Sequence, residues 1–284
     1  MTSEESENNV VPHLTPESDY GGYLCLEPVL SAQRPKSKQH DEMLFIIQHQ
    51  TSELWMKLVV HELRAAIGYV KKDQLEPCFK VLARVKQVMR MLFEQWAVLE
   101  TMTPSDYALF RKALGSASGF QSYQYRTIEF LLGNKDARIL EHLKQRKDIH
   151  EQLVSDLNAP SLYDEFLLHL SRKGIDIPSV CIQRDWSIVP EENRELVMIF
   201  KLIYDNPAPH WSAYEMCEKL IDIDQMFQLW RFRHMQTVER IIGFKRGTGG
   251  SPGAAYLRDR TRVHLFPELW SVRTEVEDKE FEPC

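Results

Sequence analysis

A chain of 284 residues, 43% hydrophobic and 27% charged, can bury a substantial core as one large domain or two ordinary ones. Its formal net charge of −6, with no segment dominated by Lys and Arg, argues against a nucleic-acid partner. The five scattered cysteines (Cys25, Cys78, Cys181, Cys217, Cys284) form no Cys-x-x-Cys pair, which argues against a disulfide scaffold or zinc ribbon and suits a reducing cytosol.

The N-terminus, Met-Thr-Ser-Glu-Glu-Ser-Glu-Asn-Asn, is acidic and polar, the opposite of a secretory or transit signal. Residues 1–18 are expected to be a flexible tail, and 19–284 a single domain. The longest apolar runs, such as 43–47, fall far short of the ~20 residues that span a bilayer, so a cytoplasmic protein without membrane contact is expected.

From 42 to 70, Leu44, Ile47, Leu54, Leu58 and Ala65 keep a three/four spacing, while Phe45, His49, Met56, Val59 and Leu63 form a second apolar face. Two such faces predict a helix buried in the middle of a bundle. From 78 to 101, Cys78, Val81, Leu82, Val85, Val88, Leu92, Trp96 and Leu99 form another long stripe. Thr103-Pro-Ser-Asp106 reads as a helix start, with Thr103 as cap, Pro104 first and Asp106 in the first turn. Gly115 stops that helix; Gly133-Asn134 stops the next, which carries Phe120, Tyr123, Ile128 and Leu131. Ser161 can cap a helix bearing Leu162, Phe166, Leu167 and Leu170, and 191–205 reads as another. The stretch 175–189, with its prolines, is expected to be a connecting loop with a short strand. The longest helix runs from about 210 to 242 and ends at Gly243. The expected fold is all-α, a single-domain helical bundle with long central helices.

Several motifs fail on physical grounds. His61-Glu62 opens like the zinc-protease motif, but Ala65 stands where the second histidine is needed. None of the ten histidines has a Glu three residues before it, as di-iron bundles require. Gly249-Gly-Ser-Pro-Gly253 matches Gly-x-Ser-x-Gly, but Pro252 has no N–H to donate to an oxyanion. The same segment lacks the Gly-Lys-Ser/Thr of a Walker loop.

Two histidines in aromatic, apolar helical surroundings survive. His234 shares a face with Phe227, Trp230, Val238 and Ile241, a stripe that suits either the proximal side of a haem or a core histidine bonded to a carbonyl. His49, one turn after Phe45, is open to the same two readings. Tyr107 and Arg111, four apart, make either a carboxylate clamp or a surface pair with the arginine stem packed on the ring. The loop 243–253 holds five glycines and is either an ordinary surface loop or a lid that brings Thr248 to a ligand.

Together these segments resemble the tryptophan 2,3-dioxygenase family from about residue 20 to 272. The resemblance rests on Tyr20-Gly-Gly-Tyr-Leu24, the run from Asp41 through His49 to Trp55, Ser118-Gly-Phe-Gln-Ser122, and Glu129-Phe-Leu-Leu-Gly-Asn-Lys135. Gln228-Leu-Trp-Arg-Phe-Arg-His-Met235 and Gly243-Phe-Lys-Arg-Gly-Thr-Gly-Gly250 complete it. It implies an all-helical homotetramer, a dimer of dimers, with one haem b per subunit and His234 as proximal iron ligand. It implies His49 as the catalytic-side residue facing the indole N–H of L-tryptophan, with Phe45 lining the pocket. Tyr107, Arg111 and Thr248 would hold the carboxylate and ammonium end, and Ser118 and Gly119 would lie near O2. Tyr20, Tyr23 and Leu24 would reach into a neighbouring subunit's site. The implied reaction opens the pyrrole ring to N-formylkynurenine, the first step of the kynurenine route of tryptophan catabolism. Competing readings are a broader indoleamine dioxygenase, a haem sensor without turnover, and a structural bundle with satisfied core histidines.

Overall fold

The computed structural model describes residues 19–250 and 253–277, so the tail expected over 1–18, Ser251, Pro252 and Cys284 lie outside the described residues. Helices and short 3-10 turns account for its regular structure, and no strand occurs among the described residues. The fold is all-α.

Three long helices form the frame: α1 (Asp41–Lys71), α2 (Leu75–Glu94) and, far along the chain, the helix Trp211–Ile242. The second packs along both of the others and lies between them. Its stripe from Cys78 to Leu92 is buried throughout, because a three/four spacing keeps these side chains on one side of the helix. The stripe continues across a break at Gln95 into Trp96–Leu99, where Trp96 and Leu99 are also buried.

The expectation that α1 is buried on two faces needs correction. Met56, Val59 and Leu63 are buried, together with Gln48, Ser52 and Glu62. On the other face, Ile47 is 46% and Leu54 is 54% exposed. Leu44, Leu58 and Ala65 of that stripe are half-buried and pack against the core, so the helices of this chain cover it only in part and leave Ile47 and Leu54 at the surface.

Local signals set the shorter elements. α3 (Pro104–Phe110) starts in a reciprocal capping box, Thr103 accepting from the Asp106 N–H and Asp106 from the Thr103 N–H. The chain tightens into a 3-10 turn over Arg111–Leu114 and reverses at Gly115, φ 58°. α4 (Tyr123–Leu131) ends just before Gly133, φ 101°. Ser161 and Asp164 form another capping box at the start of Leu162–Arg172, and Asn193 caps Arg194–Asp205. The helix Trp211–Ile242 is α5 and stops at Gly243, φ 61°.

The strand expected within 175–189 is absent; the segment holds the short helix Ser179–Ile182 instead. Arg184 organises the residues just beyond that helix, donating to the carbonyls of Asp185 and Ile188 and pairing with buried Asp164. Its guanidinium satisfies backbone acceptors that a strand would give to a partner strand.

Candidate active site

α1, the extension of α2, α3, α4, α5 and the short helix Ala254–Arg260 line a cavity of about 230 Å³. Both singled-out histidines line it. They come from α1 and α5, two helices far apart in the chain that both pack along α2.

His49 is held by its own helix. Its Nδ1 lies 2.7 Å from the Phe45 carbonyl oxygen, which can only accept, so Nδ1 carries the proton. Burial pushes its pKa below the ordinary imidazole range, with the Phe45 carbonyl and Glu53 acting the other way. The neutral ring therefore has a lone pair on Nε2. Phe45 packs 4.1 Å from the His49 ring and touches Tyr107 and Phe110, making an aromatic wall from α1 and α3.

His234 is fixed differently. Its ring stacks on Trp96 at 4.7 Å with planes 10° apart, and Trp230 lies 5.7 Å away. Burial pushes its pKa down to about 4, assisted by His49, so it too is neutral. Its imidazole makes no hydrogen bond among the described residues, unlike a satisfied core histidine, and it borders the cavity. Beside it, Arg233 pairs with Glu100, which also accepts from Thr237 and ties α5 to the end of the α2 extension.

The expected partners distribute over two connected spaces. Phe45, Tyr107, Ser118, Gly119 and Thr248 line the cavity. Arg111 lines an adjoining cleft that shares Gly247 and Thr248 with it. There the Arg111 guanidinium donates to the Arg246 carbonyl at 2.6 Å, and its buried Nε has no partner among the described residues. Tyr107 keeps its proton: burial raises its pKa, with Arg111 opposing. The glycine-rich segment passes over the cavity, with Thr248 donating to the Ala117 carbonyl. A Cβ on Gly249 would lie 2.6 Å from Ser118, and one on Gly253 (φ 66°) would lie 2.5 Å from the Lys245 carbonyl. Both glycines are required by close approach. Tyr20, Tyr23 and Leu24 do not line the cavity; they are 77%, 83% and 41% exposed.

One cluster at the cavity wall has no role assigned to it from the sequence, although Glu129, Asn134 and Arg231 fall within segments that carry the resemblance. Buried Glu129 accepts from Arg126, Arg231, Tyr125 and Asn134. Tyr125, Arg126 and Arg231 border the cavity, and the Arg126 Nε has no partner among the described residues. Only the i, i+3 pair Arg126/Glu129 is visible in the sequence; Arg231 comes from more than a hundred residues away.

No helix is long and apolar enough to cross a membrane, and no cluster of three metal-ligating acids, histidines or cysteines occurs among the described residues.

The sequence pattern of the family described as tryptophan 2,3-dioxygenase matches residues 5–175 and 188–276. The interruption falls at the segment around Ser179–Ile182. A protein of Serratia proteamaculans named tryptophan 2,3-dioxygenase is 57% identical over 278 residues, covering 97% of this chain and 99% of its own length. Proteins with the same name from Myxococcus xanthus (56% identical, 97% of this chain, 96% of its own length) and an Arthrobacter species (51%, 95% and 96%) are similarly close. Matches of this extent, on a chain whose two neutral, half-buried histidines share one cavity, show that it belongs to the tryptophan 2,3-dioxygenase family.

Proposed function

We propose that the cavity holds one haem b and one L-tryptophan, with His234 ligating the iron and His49 facing the indole. The chain is a haem dioxygenase that opens the pyrrole ring of L-tryptophan with O2 to give N-formylkynurenine, the first step of the kynurenine route. The observation that carries the residue assignment is the pair of neutral histidines on one cavity, one with Nδ1 tied to a carbonyl and one with no hydrogen-bond partner among the described residues.

The residues fit the group. A neutral imidazole with an uncommitted nitrogen is what an iron ligand requires, and the stack on Trp96 fixes its plane. The apolar walls from Phe45, Trp96, Trp230 and Ile241 suit a flat macrocycle, and the unpartnered Arg126 Nε is available to its carboxylates. Haem, when bound, supplies the oxygen chemistry; the protein positions and orients.

With its proton held on Nδ1, His49 presents Nε2 as an acceptor to the indole N–H. It acts as a hydrogen-bond partner rather than an obligatory base, since indole N–H is a very weak acid. Phe45 and Tyr107 pack the indole and exclude water. Arg111 takes the carboxylate, Thr248 and the Tyr107 hydroxyl complete the polar end, and Ser118 and Gly119 border the oxygen side. Residues 19–284 work as one haem-binding domain in the cytoplasm. The exposed Tyr20, Tyr23 and Leu24 support assembly into a homotetramer in which they cover a neighbour's site.

The test is an aerobic assay of haem-loaded, reduced protein with L-tryptophan. N-formylkynurenine is the expected product; its absence from a fully loaded sample would favour a haem sensor. A broader indoleamine dioxygenase is disfavoured by the clamp, because tryptamine would strand Arg111 without a carboxylate.

A further inference from the structure

The cleft beside the cavity, about 400 Å³, is lined by four residues with cationic side chains, Arg111, Lys112, Lys245 and Arg246, and by no acidic residue. Among the described residues none of the four forms an ion pair. Other cations close by in the chain do: Arg233 with Glu100, Arg258 with Glu239, Arg260 with Asp136. The concentration of charge is local, because the chain as a whole carries −6.

Two chain segments create it. The 3-10 turn after α3 turns Arg111 and Lys112 toward the start of the glycine-rich loop, whose Lys245 and Arg246 complete the rim. A concave surface that gathers like charges focuses a positive potential, and their mutual repulsion is relieved when an anion enters. The donors are well suited to an oxyanion: guanidinium offers a planar fork, ammonium a compact charge. One donor is already uncommitted, since the buried Arg111 Nε has no partner among the described residues.

We propose that this cleft binds a small, doubly charged oxyanion of the phosphate type, and that the bound anion competes with the substrate carboxylate for Arg111. The competition rests on the reading of Arg111 as the carboxylate clamp; the anion site itself does not. The guanidinium sits where the cleft and the cavity meet, so an anion on the cleft side holds it away from the substrate. Lys112 and Lys245 line the cleft and are not among the residues that line the cavity.

The experiment uses haem-loaded full-length protein with inorganic phosphate as probe, against chloride at matched ionic strength so that screening is equal. Phosphate is expected to raise KM for L-tryptophan several-fold and leave kcat unchanged. The double variant Lys112→Gln/Lys245→Gln should lose that sensitivity while keeping its basal constants. A second readout needs no turnover: acetylation of Lys112 and Lys245, measured by mass spectrometry, should be suppressed by phosphate and not by chloride. Equal acetylation in the two salts would overturn the site. Protection of both lysines with an unchanged KM would overturn the competition and keep the site. Should Arg111→Ala leave the specificity constant intact, the clamp reading fails, and the acetylation result still decides whether the anion binds.

Discussion

The Arg111 guanidinium donates to the Arg246 carbonyl from a cleft that borders the cavity, so engaging a substrate carboxylate exchanges a neutral acceptor for a charged one. Removing it leaves a carboxylate without its cation in a mostly apolar space. Arg111→Ala should therefore lower kcat/KM by about 2–4 kcal/mol of transition-state stabilisation. An unchanged specificity constant would end that role. Glu129 presents the reverse problem: its carboxylate serves two buried arginines, Arg126 and Arg231. Glu129→Gln strands both charges, and denaturant unfolding should show a loss of about 3–5 kcal/mol. A loss within experimental error would mean that the cluster is solvated. The role of Arg126 is readable from its spacing to Glu129; that of Arg231 is not, because nothing local marks a partner contributed by a distant helix.

At the scale of elements, the turn between α1 and α2 shows how capping and ion pairing act together. Asp73 adopts φ 58°, a conformation that Asp and Asn tolerate better than most residues. Its carboxylate accepts from Arg172 and His169 of the helix Leu162–Arg172, and the Arg172 bond leads in holding its pKa down at about 2. A depressed carboxylate contributes stability that is present above its unfolded value near ~4 and lost as pH falls toward the folded one. Asp73→Asn keeps the turn but removes the charge, so stability should drop at neutral pH and fall less steeply between about pH 4 and pH 2. Parallel acid limbs for the two proteins would contradict this. Capping makes several element starts legible, though not those of the three long helices: Thr103, Ser161 and Asn193 each stand one residue before the helix they begin. The 3-10 turn at Arg111 is not legible, since the pattern Tyr107/Arg111 reads as one more helical turn until Gly115 is seen to reverse the chain. The segment 175–189 departs from its expected strand for a related reason: its backbone acceptors are met by the Arg184 side chain, which no periodicity reveals.

For the whole molecule, the all-α bundle is legible in long three/four stripes, and the cavity in two histidines that belong to neither a pure core nor a surface. The second apolar stripe on α1 reads as interior, yet Ile47 and Leu54 are exposed, as are Tyr20 and Tyr23. Periodicity reports that a face is apolar, not whether its cover comes from the same chain. The proposed homotetramer supplies that cover, so light scattering on haem-loaded protein should give a four-chain species. A fully active monomer would rule out a shared site. Haem titration monitored at the Soret band distinguishes the roles of the two histidines. Wild-type protein and His49→Ala should each take up one equivalent, and His234→Ala should fail to retain it; stoichiometric, stable haem in His234→Ala would contradict the assignment of both sides of the cavity.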